Sequence, residues 1–581
     1  MSVSAVKPGG HAARLAIFLL LSLVCAAPLR AADGPVPLLP KAGAPSPAEP
    51  AVHSVELAPA SLEGVGTLIE SQGGFSNDMW AGSNRAAIER LIGELPAALP
   101  SRTLRQMERR LLLTAADLPD GSKEAERGQL IAARVERLAA MGDIDGVLGL
   151  MRVVPSRLVS ESMLRAKAEA HLLAGEDQAV CREQASPPPG ARDPFWTKFG
   201  IFCKLLAGDK AKASLGLDIL RDLRHDDPAF LMLAEALLGL NPPNPPSMAD
   251  AQPLHVAMLR AAKRPAPLDA ARASHPGVLR LMALTPSLDG DLRLAAAERA
   301  EIMGVLDTEA LRRLYSAVAF NDQEKAQALM LAEKDRGVRG RALLWQAAKA
   351  SNQSDQRAEI IAKSLALAGP GYPFLAMSRL MEPLILEMSP SSSLIWFAPT
   401  ALRALYAAGR YETARQWSEA LLRGKGMEDR ATQTSLAPLI RLADPRDGDN
   451  WNETALSSWR QLQLSAKDKA STDLVNARAA LLFGLIEALG DSAGAAWIPL
   501  QEGSKLVPMP QPRPALWHAL RQASEQLRLG ETVLASLVTL GENGAASDAI
   551  SLYRAVAALK LIGLEREARS LAVEAAILAG L

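Results

Sequence analysis

The chain has 581 residues, of which 49% are hydrophobic, and at roughly 150 residues per domain that is about four domain equivalents with ample core, which excludes a disordered chain. Its 64 Lys plus Arg balance 64 Asp plus Glu, so it offers a polyanion no bulk attraction and no nucleic-acid partner is expected. Aromatics are only 4% while Ala and Leu recur throughout, so the expected class is all-α.

Residues 1–32 read as a secretory signal peptide. Lys7 and Arg14 precede an apolar stretch from Leu15 to Ala27, and small residues follow it. The stretch is shorter than the roughly 20 residues of a membrane span. Cleavage between residues 27 and 33 is therefore expected, leaving a slightly acidic mature chain with no transmembrane span. Cys25 ends the stretch, but Val24 before it departs from a lipidation signal, so a periplasmic location without a lipid anchor is expected. Residues 33–60 are rich in Pro and Ala without helical periodicity, as an extended linker would be.

From residue 61 apolar residues recur at helical spacing over stretches of about 10 to 18 residues, punctuated by Gly, Asn and Pro. Three groups of helical repeats are expected, N-terminal (61–240), middle (241–370) and C-terminal (371–581). Their joints fall at the proline-rich runs NPPNPPSMADAQP (241–253) and GPGYP (369–373), with further breaks at 186–194 and 507–514.

In the first group Arg102, Arg105 and Arg109 fall at i, i+3 and i+7 of SRTLRQMERRLLL, with Glu108 nearby. They share one helix face, which is either solvated or the seat of an anionic partner. Cys181 and Cys203 are the cysteines that remain after signal removal, and the SPPPGAR turn reverses the chain between their helical stretches. In an oxidising compartment they are expected to form a structural disulfide worth about 3 kcal/mol. His225-Asp226-Asp227, just before Pro228, reads as a helix cap. Trp196, Trp345, Trp417 and Trp497 lie on apolar stripes and are expected in the core.

A Gly followed five residues later by Ala recurs between amphipathic segments, at Gly208/Ala213, Gly409/Ala414, Gly490/Ala495, Gly544/Ala549 and Gly563/Ala568; Asn321/Ala326 has the same spacing. The Gly can take the left-handed conformation that ends one helix, and the small Ala lets the next helix approach closely. Gly409-Arg410-Tyr411-Glu412-Thr413-Ala414 resembles the Gly-x-Tyr-x-x-Ala turn of the tetratricopeptide repeat (TPR), a helix hairpin of about 34 residues. The resemblance implies a helical-hairpin solenoid, a TPR-like superhelix in which Gly409, Tyr411 and Ala414 are structural. Most units lack that family's Trp-x-x-Leu-Gly opening and closing Pro, and landmark spacing drifts, so the expectation is a degenerate superhelix.

No catalytic, cofactor-binding or metal-binding residue is assigned. No two of the seven histidines fall at i, i+3 or i+4, and HExxH, GxxxxGK(S/T) and GxGxxG are all missing. Gly424-Lys425-Gly426 lacks the flanks of a phosphate loop. Glu161-Ser162 is similar to the catalytic Glu-Ser of soluble lytic transglycosylases, which join a helical superhelix to a lysozyme-like domain. The Gly-Leu-Met-Gln element of that family is absent, and the pair sits in an ordinary helical stretch. The expected function is a non-enzymatic periplasmic scaffold that binds an envelope protein or extended peptide, with no cofactor and no small-molecule ligand. A peptidoglycan enzyme or enzyme accessory built on a helical superhelix is the alternative.

Overall fold

A computed structural model of the chain describes residues 62–122, 128–184, 187–222, 227–423, 427–444, 453–465, 471–501 and 514–581. The expected signal peptide (1–32) and linker (33–60) lie outside the described residues, as do His225, Asp226 and Gly424-Lys425-Gly426.

Helical periodicity becomes helix throughout. The N-terminal third holds α1 (Arg85–Gly93), α2 (Arg102–Leu113), α3 (Gln129–Ala140), α4 (Ile144–Val153), α5 (Glu161–Ala174), α6 (Asp177–Glu183), α7 (Pro194–Leu206), α8 (Lys210–Asp222) and α9 (Pro228–Leu238). The middle holds α10 (Pro253–Ala262), α11 (Pro276–Leu284), α12 (Gly290–Ile302), α13 (Thr308–Ser316), α14 (Asp322–Ala326), α15 (Ala328–Lys334), α16 (Val338–Ala350) and α17 (Ser354–Ala368). Then follow α18 (Tyr372–Leu386), α19 (Ala398–Ala407), α20 (Tyr411–Leu422), α21 (Met427–Ala443), α22 (Glu453–Ser465), α23 (Thr472–Ala488), α24 (Ile498–Gln501), α25 (Pro514–Glu525), α26 (Leu529–Leu540), α27 (Ala549–Leu561) and α28 (Glu565–Leu578). Among the described residues extended pairing is confined to two isolated bridges, Leu68 with Thr114 and Asn84 with Asp120. The protein is an all-α helical solenoid.

Local chemistry sets the helix boundaries. Asn84, Ser101, Asp143, Ser160, Asp227, Asp289 and Asp548 each accept a hydrogen bond from a first-turn amide, supplying the partner that a helix start lacks. At Gly409, with φ +74°, the amide of Gly409 bonds to Tyr406 O and that of Arg410 to Leu405 O, which is the Schellman closure of α19. Ala414 of α20 is then fully buried where α20 packs on α19. The same step operates at Gly208/Ala213 and Gly563/Ala568, whose alanines are also fully buried. It fails elsewhere. Gly490 does end α23, but Ala495 is exposed in a short 3-10 turn. Gly544 sits inside another 3-10 segment, and Asn321 starts α14 as a capping-box residue at φ −80° instead of ending a helix. An Asn side chain that can cap an amide has no need of the left-handed state.

Successive helices pack side by side, as α7 with α8, α11 with α12, α16 with α17 and α27 with α28. One hydrophobic core runs through them, with Trp196, Trp345 and Trp417 buried in it as expected and Trp459 added. Trp497 is only half-buried and donates its indole N–H to Glu487. The solenoid also returns on itself: α1 and α2 pack against α26, and α2 also touches α28. Helices at opposite ends of the described chain thus share a seam.

Candidate functional site

The seam is polar at its centre. Glu574 of α28 accepts from Ser101 Oγ, from Thr103 Oγ1 at 2.7 Å and from Thr103 N at 3.2 Å, while Arg110 of α2 pairs with Glu567. The Arg110 guanidinium also lies 4.4 Å above the Phe75 ring, so its charge is held by an aromatic face as well as by a carboxylate. Beside these pairs opens a cleft of about 400 Å³ lined by α2, Arg379 of α18, the α19–α20 turn and the polar face of α28.

Four guanidiniums border this cleft: Arg102, Arg110, Arg379 and Arg566. Two of them are anchored from behind by Glu301 of α12, which has no exposure. Arg379 Nε and Nη2 reach its two oxygens at 2.9 and 2.8 Å, Arg102 Nη2 reaches it at 2.9 Å, and Thr308 Oγ1 at 2.8 Å. Burial alone would raise the Glu301 pKa; the Arg379 and Arg102 charges and the Thr308 hydrogen bond outweigh it and hold the carboxyl below its ordinary value. The two arginines are therefore fixed in direction by a buried anion. Arg566 is exposed and makes no ion pair among the described residues. The Tyr406 and Tyr411 rings, 5.9 Å apart, also border the cleft; the Tyr411 hydroxyl lies 3.4 Å from Ser570 Oγ of α28, and burial raises its pKa. Fixed guanidiniums and a free one form a surface suited to carboxylates on a flexible chain.

The residues singled out in the sequence are placed as follows. Gly409 and Tyr411 form the α19–α20 turn and also line this cleft; Ala414 lies behind them in the core. Arg102, Arg105 and Arg109 point to three different partners. Arg102 serves Glu301 in the seam, Arg105 is buried and donates to Met141 O at 2.9 Å, and Arg109 pairs with Asp143 at 2.6 Å. Glu108 is buried too, so this side of α2 is an interior surface and not a solvated one. Cys181 of α6 and Cys203 of α7 are bonded, with Cα atoms 5.3 Å apart; Gly175, at φ +84°, splits the helical stretch that carries Cys181 into α5 and α6. Glu161 opens α5 and accepts from the backbone amides of Arg192 and Asp193, both at 3.0 Å, fixing the loop before α7. Asp227 caps α9, and its other oxygen meets Lys198 at 2.6 Å and His255 at 3.0 Å. Among the described residues no three His, Cys, Asp or Glu side chains converge as a metal ion would require, and no helix is long and apolar enough to cross a membrane.

Arg379, Arg566 and Glu574 were not found from the sequence. The available signal was the polar stripe Glu567, Ser570 and Glu574 at i, i+3 and i+7 of α28, opposite the buried Ala568, Leu571, Ala572 and Ala575. Against known proteins, the chain matches no family model, and no curated protein or solved structure shows significant similarity to it.

Proposed function

We propose that the protein is a non-catalytic periplasmic scaffold, a degenerate TPR-like superhelix, that binds an envelope protein through an extended acidic segment lying in the seam cleft. The observation that carries this reading is the cleft itself, where pre-oriented and free guanidiniums border a space of about 400 Å³, too narrow for a folded domain and wide enough for a few residues of extended chain. The exported setting is supported by the signal-like segment 1–32 and by the Cys181–Cys203 bond, which persists best in an oxidising compartment. The TPR-like assignment is supported by the Gly409 turn and the buried Ala414.

Site-specific photocrosslinking in intact cells tests it. A benzophenone amino acid at Gln106 or Arg566 is expected to trap one defined envelope protein, with the crosslinked peptide rich in Asp and Glu. The same probe at the exposed Leu268 serves as control. Equal capture from all three positions, or none from the cleft, would refute the assignment.

A further inference from the structure

A second cavity, of about 280 Å³, opens on the other side of α2, where the first turn of α4 meets α11 and the turn after α12. Its wall is built by close backbone approach. Gly142, at φ +71°, lies so near α11 that a Cβ there would stand 2.5 Å from Gly277 N, and this contact lets α11 deliver Arg280 to the mouth of α4. Gly304, at φ +69°, makes room for the Arg105 stem, whose Cδ would be 2.7 Å from an added Cβ.

The charges in this cavity are unequally satisfied. Arg109 is neutralised by Asp143, whose second oxygen caps the amide of Gly146. Arg105 retains only 8% exposure, and its Nη1 has no hydrogen-bond partner. A buried charged donor without a partner is costly unless something fills its place. Arg280, half-buried, makes no ion pair among the described residues. The amide end of the ten-residue helix α4 adds partial positive charge to the same space. Against these stands the exposed carboxylate of Asp145 at the rim.

We propose that this cavity binds a small oxyanion-bearing ligand, its carboxylate or phosphate group held by Arg105, Arg280 and the first turn of α4. The site is independent of the seam cleft, and it would give the protein the small-molecule ligand that its sequence does not announce. Two spare guanidiniums against one spare carboxylate leave room for one compensating negative charge, so Asp145 weakens binding and Arg280 strengthens it.

Isothermal titration of the full-length mature protein with inorganic phosphate and, separately, with glutarate, at constant ionic strength, tests this. Saturable binding of at least one probe is expected in the wild type; which probe binds separates a phosphorylated ligand from a carboxylic one. Arg280→Gln should weaken binding about tenfold, the scale of one charged hydrogen bond, and Asp145→Asn should tighten it. Gly304→Ala, which displaces the Arg105 stem without removing a charge, should also weaken it. Unchanged melting curves for Arg280→Gln and Asp145→Asn establish that the variants are folded. No binding of either probe up to about 20 mM, or binding that both variants leave unaltered, overturns the proposal.

Discussion

Glu108 of α2 is fully buried, and neither of its carboxylate oxygens has a hydrogen-bond partner. Burial pushes its carboxyl up to about 8, against the opposing pull of the Arg105 and Arg137 charges. In the unfolded chain the same group titrates near 4.5, so between those values the folded protein holds a proton that the unfolded chain has released. The contribution of this group to stability is therefore fully present below about pH 4.5 and is lost as pH rises through the folded value. At roughly 1.4 kcal/mol per pKa unit, the whole window is worth at most about 5 kcal/mol. Glu108→Gln keeps the shape and removes the titration. Urea denaturation at about pH 5 and about pH 8 should then find the variant close to the wild type in acid and more stable than it by several kcal/mol in base. Because other groups titrate in both proteins alike, the difference between the two pH profiles is the quantity to read. Parallel profiles would show that the buried carboxyl is not held neutral, and the reasoning from burial would fail.

His275 supplies the opposite slope: burial lowers its pKa from 6.5 to about 4, so stability is lost as pH falls through that range, by at most about 3 kcal/mol. His275→Asn, which preserves the cap on Gly277, should flatten the acid limb of the stability profile in denaturant titrations. Replacing Cys181 or Cys203 by Ser should lower stability by about 3 kcal/mol, and thiol titration of the unreduced, denatured protein should find neither of these two cysteines free. Ala414→Leu overfills the α19–α20 contact and should cost about 1–3 kcal/mol; an unchanged melting curve would mean that Ala414 does not face α19. Glu301→Gln leaves Arg379 buried without its counter-charge, with an expected loss of about 3–5 kcal/mol in chemical denaturation.

What was legible in the sequence is what short-range physics determines. Apolar spacing and caps show the helices, and Gly409 with Ala414 shows a close hairpin, because each signal lies within one or two turns of its consequence. The Cys181–Cys203 pairing was legible for the same reason, since a single turn separates the two helices. The Gly-to-Ala step overreached at Gly490 and Asn321, where the same spacing precedes a 3-10 turn or a capping box. The interior side of α2 was not legible at all. Arg105 and Glu108 carry the spacing of a solvated face, and only the packing of α3, α4 and the turn after α12 around α2 makes that face a buried one.

The seam explains why the candidate site escaped as well. A solenoid whose units touch only their neighbours can be read unit by unit, and its stability is close to a sum of local terms. Here Ser101 and Glu574, Arg110 and Glu567, and Met79 and Gly530 bond across more than 400 residues of chain. None of these pairs leaves a local trace: Ser101 is the N-cap of α2 and Glu574 a polar position on α28, and neither role points to the other residue. The cleft exists only where the two ends meet, so its residues come from α2, α18, the α19–α20 turn and α28, and no single repeat contains it. Closing so long a loop is entropically costly in the unfolded chain, and the cost grows only slowly with length, so a seam of buried apolar contacts and charge-assisted hydrogen bonds is sufficient to hold it. The seam that couples the two ends of the solenoid thus also creates the site, and a change on α28 is felt at α2 without passing through the helices between them.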